Sequence, residues 1–152
     1  MNFKSKKVAH NIVLLFSGIL GSLSLILPAL DENTWFGNIQ VWFFGFNRGF
    51  SDDFLSDLFL TGLGILIITA IILLLAIKGF QKKISRKMVN LLPIIEIIAG
   101  VGLIICATFF DSLANDHTWG SINAGAGLIC CYLNITLLLI TGIVILIVDQ
   151  TQ

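Results

Sequence analysis

The sequence predicts an all-α integral membrane protein, a bundle of four transmembrane helices, and three observations predict it. Four apolar stretches, residues 11–30, 58–77, 91–110 and about 126–148, each run roughly 20 residues, the length that carries a helix across about 30 Å of hydrocarbon. Of the 152 residues 57% are hydrophobic and only 12% are charged. An ordinary soluble domain carries about 25% charged residues. Third, the formal net charge is zero, yet the basic residues are gathered into two short segments. Backbone polar groups in lipid must be satisfied within the chain, so these stretches are expected to be helices. Little chain is left for a soluble domain, and residues 1–152 read as one membrane domain.

Orientation follows from the charges. Lys4, Lys6 and Lys7 precede the first stretch, and Lys78, Lys82, Lys83, Arg86 and Lys87 lie between the second and third. Arg48 is the one basic residue elsewhere. The positive-inside rule places both basic segments, and hence both termini, in the cytoplasm of a multi-pass cell-membrane protein. The loop 31–57, with Asp31, Glu32, Asp52, Asp53 and Asp57, is then external, as is the loop 111–123 with Asp111 and Asp116.

The first stretch is too long for a typical signal-peptide core, and no Ala-x-Ala-like site follows Leu30. It is expected to be a retained helix. Its small residues Ser17, Gly18, Gly21 and Ser22 stand at four-residue spacing, which lets helix backbones approach closely in lipid. The loop that follows is unusual. It holds Trp35, Phe36, Trp42, Phe43, Phe44, Phe46, Phe50 and Phe54, and residues 38–43 alternate with period two, predicting a short β-like segment. So many rings require an interfacial belt, a fold over the end of the bundle, or a partner. Trp35, Trp42, Phe44, Phe46 and Arg48, with Trp119 of the second external loop, form the expected contact surface.

The second stretch carries Thr61, Gly62, Gly64, Thr69 and Ala70 for packing. The basic cytoplasmic loop 78–90 follows, where Lys82, Lys83, Arg86 and Lys87 are expected to meet anionic lipid headgroups, at about 1 kcal/mol per charge. The third stretch contains the sharpest clue in the chain. Glu96 stands within Leu91-Leu92-Pro93-Ile94-Ile95-Glu96-Ile97-Ile98, and an ionisable group at membrane depth needs a proton, a partner or a purpose. Depth along antiparallel helices brings Thr141 and Ser17 to a similar level, with Asn134 nearer the midplane, so Glu96 is expected to face inward and bond one of these hydroxyls.

Cys106, Cys130 and Cys131 share a depth near the outer ends of the third and fourth helices. A bridge from Cys106 to either neighbour is geometrically allowed, although buried reduced thiols are the ordinary role of cysteine in apolar packing. No C-x-x-C stands in the chain, and His10 and His117 belong to opposite sides of the membrane, so neither a redox motif nor a metal site is expected. No cofactor, nucleic-acid partner or catalytic constellation is indicated.

The layout resembles the claudin-like tetraspan superfamily. The residues that carry the likeness are Gly18-Ile-Leu-Gly21 through Leu27-Pro28, Trp35-Phe36-Gly37 and Arg48 of the first loop. Trp119-Gly120, ahead of the glycine-rich opening of the fourth helix, is similar to small prokaryotic four-helix proteins. The first loop is shorter than in claudins and has no cysteine pair, so neither their loop disulfide nor their barrier function carries over. The outer aromatic loop and the helix faces predict a non-enzymatic protein acting through lateral or loop-mediated protein or lipid contacts, as a homo-oligomer or as an accessory subunit beside another membrane protein. A small proton- or cation-coupled transporter or channel centred on Glu96 is the alternative.

Overall fold

A computed structural model describes residues 3–34, 37–48, 54–81, 84–117 and 121–150. Among them are four helices long and apolar enough to cross a membrane: α1 (Phe3–Ile26), α2 (Phe59–Phe80), α3 (Arg86–His117) and α4 (Ala126–Gln150). The helices form a ring in which each packs against its neighbours in sequence and α4 closes back on α1. α1 also meets α3 across the middle.

The helix limits differ from the apolar limits in an instructive way. α1 spans Phe3–Ile26, not 11–30. Pro28 has no N–H for a further helical hydrogen bond and disfavours helical geometry at Leu27, and the helix stops short of Leu30. At its other end the lysine-bearing segment winds as readily as the apolar one, because backbone hydrogen bonding does not require apolar side chains. For the same reason Lys78 falls in the last turn of α2, where a cation suits the negative end of the helix dipole, and Arg86 and Lys87 open α3. Much of the expected loop 78–90 is therefore helical. α3 likewise continues past Phe110 to His117, and it runs through Pro93 without ending.

The end of the bundle away from the termini is covered by a four-stranded antiparallel sheet, in the order β3-β2-β1-β4. β1 (Leu30–Thr34), β2 (Gly37–Val41) and β3 (Asn47–Arg48) come from the first loop, and β4 (Ser121–Ala124) from the second. The alternation of residues 38–43 thus marks β2 alone. β1 pairs β2 with Leu30 opposite Val41, and pairs β4 with Leu30 opposite Ala124. Leu30 and Val41 are buried against the bundle, while Gln40 and Asp31 share the other face, joined by a 3.0 Å hydrogen bond. Below the sheet, Phe43 packs on Phe110 with ring centroids 4.5 Å apart and planes tilted by 51°, both fully buried. Gly45 turns the chain between β2 and β3 at φ +80°, a left-handed conformation that favours glycine.

Side-chain placement is inverted relative to a water-soluble bundle. Phe16, Ile26, Leu60, Leu74, Ile98, Phe109, Leu133 and Ile140 are exposed on the outer faces of the four helices. Lys6, His10, Asn11, Ser17, Ser24, Thr61, Thr69, Glu96 and Asn134 are buried between them.

Candidate functional site

The buried polar residues of α1 follow one stripe. His10, Ser17 and Ser24 recur at seven-residue spacing, with Leu14 and Gly21 between them on the same face, a pattern that keeps one seam directed at the bundle axis. Each polar position meets a partner from another helix or its own backbone. Lys6 forms an ion pair with Asp149 near the end of α4, tying the two ends of the chain together. One turn further, His10 Nδ1 lies 2.7 Å from Glu96 Oε1 of α3, and both side chains are wholly buried. Ser17 Oγ donates to Asn134 Oδ1 of α4 at 2.5 Å, and Ser24 Oγ donates to the Gly21 carbonyl at 2.7 Å.

The partner of Glu96 is thus an imidazole and not a hydroxyl. Ser17 is about 10 Å further along α1 at 1.5 Å per residue, and it takes Asn134. Thr141 is half-buried on α4 and does not meet the carboxylate, because Gly142 beside it packs on Pro93 and Ile97, the neighbouring face of α3. The sequence reading missed His10 because it began the first helix at residue 11. With α1 starting at Phe3, His10 is a full two turns inside it. The available signal was the spacing of His10 with Ser17, Gly21 and Ser24.

Close packing surrounds this seam. Asn11 lies against Gly79 of α2, and Thr69 of α2 against Gly21, leaving no room for a side chain at either glycine. Between the His10–Glu96 and Ser17–Asn134 layers stand Leu14, Ala76 and Leu138, all fully or almost fully buried. Five buried atoms on the seam or beside it have no hydrogen-bond partner among the described residues: His10 Nε2, Glu96 Oε2, Asn11 Oδ1, Thr69 Oγ1 and Asn134 Nδ2.

The sheet end has a different chemistry. Trp42, Phe46, Asn47 and Arg48 line a recess of about 370 Å³ open to the surroundings. Trp42 is also structural: its indole N–H donates to the carbonyl of Ile26 at 2.9 Å, satisfying an acceptor left over at the end of α1. From Phe46 a row of rings continues through Phe54 and Phe59 to Phe44, with successive centroids 5.5, 6.2 and 6.1 Å apart. Phe46 is 60% exposed and Phe54 51%. Arg48 is exposed beside them.

The remaining expected residues are placed as follows. Cys106, Cys130 and Cys131 are free thiols, and Cys106 lies against α2 at Gly64, so the allowed bridge is not formed. Lys87 is exposed in the first turn of α3. Arg86 begins that helix, with its side chain outside the described positions. Trp35, Trp119, Lys82 and Lys83 lie outside the described residues. No protein-family model matches this chain, and a search of curated proteins finds no match to it.

Proposed function

We propose that this chain is a non-enzymatic integral membrane protein of claudin-like tetraspan layout, resident in the cell membrane with both termini cytoplasmic, that acts through protein contacts at its sheet end. The observation that carries this reading is the exposed row of phenylalanines, Phe46, Phe54 and Phe59, running beside Arg48 and the recess at Trp42. An aromatic cluster with an arginine at its edge has the composition of an interface core, and rings exposed at the rim of a rigid sheet lose little entropy on docking.

Membrane residence is supported by the outward apolar faces of all four helices and by burial of their polar residues. The positive-inside rule then assigns the termini end to the cytoplasm, where Lys78 and Lys87 with Lys82, Lys83 and Arg86 meet anionic headgroups. At the opposite end the protein self-associates laterally or docks as an accessory subunit of another membrane protein. The buried seam supports contact work over transport, since Leu14, Ala76 and Leu138 interrupt the polar file along the bundle axis.

Cross-linking in native membranes tests this reading. Replacing Phe46 and Phe54 together with serine leaves the buried core intact and is expected to lower the cross-linked fraction roughly tenfold or more. Undiminished cross-linking in that variant would make the aromatic row a lipid anchor and end the proposal.

A further inference from the structure

We propose that His10 and Glu96 form a proton-binding site entered from the end of the bundle that carries the termini and closed towards the sheet. The pair joins α1 to α3 across the middle of the ring, wholly buried, with 2.7 Å between Nδ1 and Oε1. A pair that served only to fasten two helices would be expected to spend its remaining hydrogen-bonding atoms on protein partners. Here the outer atoms of both groups, His10 Nε2 and Glu96 Oε2, are buried without partners among the described residues. Two orphaned positions on the two members of one titratable pair point to a small polar ligand, a proton carried by water.

The charges around the pair set what it binds. From α1 it faces Lys6 one turn away, and through Lys6 the carboxylate of Asp149 on α4. α3 supplies Glu96 itself. α2 presents the backbone of Gly79, on which Asn11 of α1 packs, and its nearest cation, Lys78, is exposed. Lys6 and Asp149 cancel, so the pair is electrically neutral only while it holds one proton beyond carboxylate and neutral imidazole. That proton resides on Oε1 or on Nδ1, and both arrangements have the same atoms and total charge. Its release leaves a neutral imidazole and a buried carboxylate. The proton leaves past Lys6 to Asp149, whose side chain is 34% exposed. Towards the sheet, Leu14, Ala76 and Leu138 separate the pair from Ser17 and Asn134 by about 10 Å of apolar packing.

Infrared spectroscopy of the full-length protein in detergent tests the site directly, through the carbonyl band of a protonated carboxyl. A band that titrates with pH, is lost in Glu96→Gln, and has its midpoint moved by about one pH unit or more in His10→Gln is expected. Asp149→Asn, at a half-exposed position that does not threaten folding, moves the midpoint measurably, whereas Ser17→Ala leaves it in place. Vesicles containing the protein and a pH-sensitive dye show no proton leak beyond that of protein-free vesicles. The proposal is overturned if no titrating band is lost in Glu96→Gln, if His10→Gln leaves the band unchanged, or if Ser17→Ala moves it and Asp149→Asn does not. A proton leak through the vesicles removes the closed side. None of these variants touches the phenylalanine row, so failure here is distinguishable from failure of the contact reading.

Discussion

The two ends of this molecule solve opposite problems with opposite residues. At the termini end polar and charged side chains turn inward: Lys6 meets Asp149 and His10 meets Glu96, each pair drawn from distant parts of the chain. At the sheet end the backbone does the fastening, through strands from both loops, and Phe46, Phe54 and Phe59 turn outward. The contrast teaches where each kind of work is possible. Side-chain pairs between helices hold a register while leaving titratable groups inside. A hydrogen-bonded sheet holds its shape without those pairs, so its side chains are free to face a partner.

The largest way to break the comparison is to take one member from the central pair. Glu96→Ala or His10→Ala leaves a buried group alone and is expected to cost about 3–5 kcal/mol, read as a fall in the midpoint of detergent-driven unfolding. The joint His10→Leu, Glu96→Leu variant recovers most of that loss, since it buries no lone polar group. Equal damage from the single and joint changes would show that the pair is not coupled.

A second variant probes the sheet end, where fastening is by backbone. Any side chain at Gly127 of α4 would run into the carbonyls of Leu27, Ser24 and Pro28. The Gly127 N–H donates to the Pro28 carbonyl at 2.8 Å, seating α4 against the turn that follows α1. Gly127→Val is expected to cost about 1–3 kcal/mol by forcing the two helices apart, with the loss visible in the same unfolding titration. A neutral result would mean that the sheet alone holds this end.

Smaller effects sharpen the picture. A double-mutant cycle on Ser17→Ala and Asn134→Ala is expected to return a coupling of about 0.6 kcal/mol, the usual size of a side-chain hydrogen bond between membrane helices. Asp149→Asn should cost less than the loss of either central-pair member, because its carboxylate is partly exposed, although it leaves the buried Lys6 ammonium without its counter-charge. If Asp149→Asn proved as damaging as Glu96→Ala, the gradient from buried pair to terminal pair would be wrong.

Much of the architecture was legible in the residues, and the candidate site much less so. Helix number and approximate position followed from apolar runs, and β2 from the alternation of Ile39, Val41 and Phe43. β1 was hidden because Leu30-Asp31-Glu32-Asn33-Thr34 has neither alternation nor β-branched density; its strand state comes from pairing on both sides. Glu96 stood out as a lone carboxylate among isoleucines, yet its partner did not. Counting apolar residues sets the lipid-crossing portion of a helix and is silent about where winding begins, so His10 fell just outside the first stretch. Trp42 was legible as a contact residue but not as the donor that closes the end of α1.

By itself the sequence determined that four helices would be long and apolar enough to cross a membrane, with both loops of the sheet end on one side of them. The physical reason is local: a helix face that meets apolar surroundings must be written residue by residue in its own segment. Only the tertiary structure decided that His10 meets Glu96, that Lys6 meets Asp149, and that the two loops join in one sheet. Those partners are 86 and 143 positions apart along the chain. No local preference encodes such meetings; they arise when the ring of helices closes and each buried polar atom must find what lies opposite.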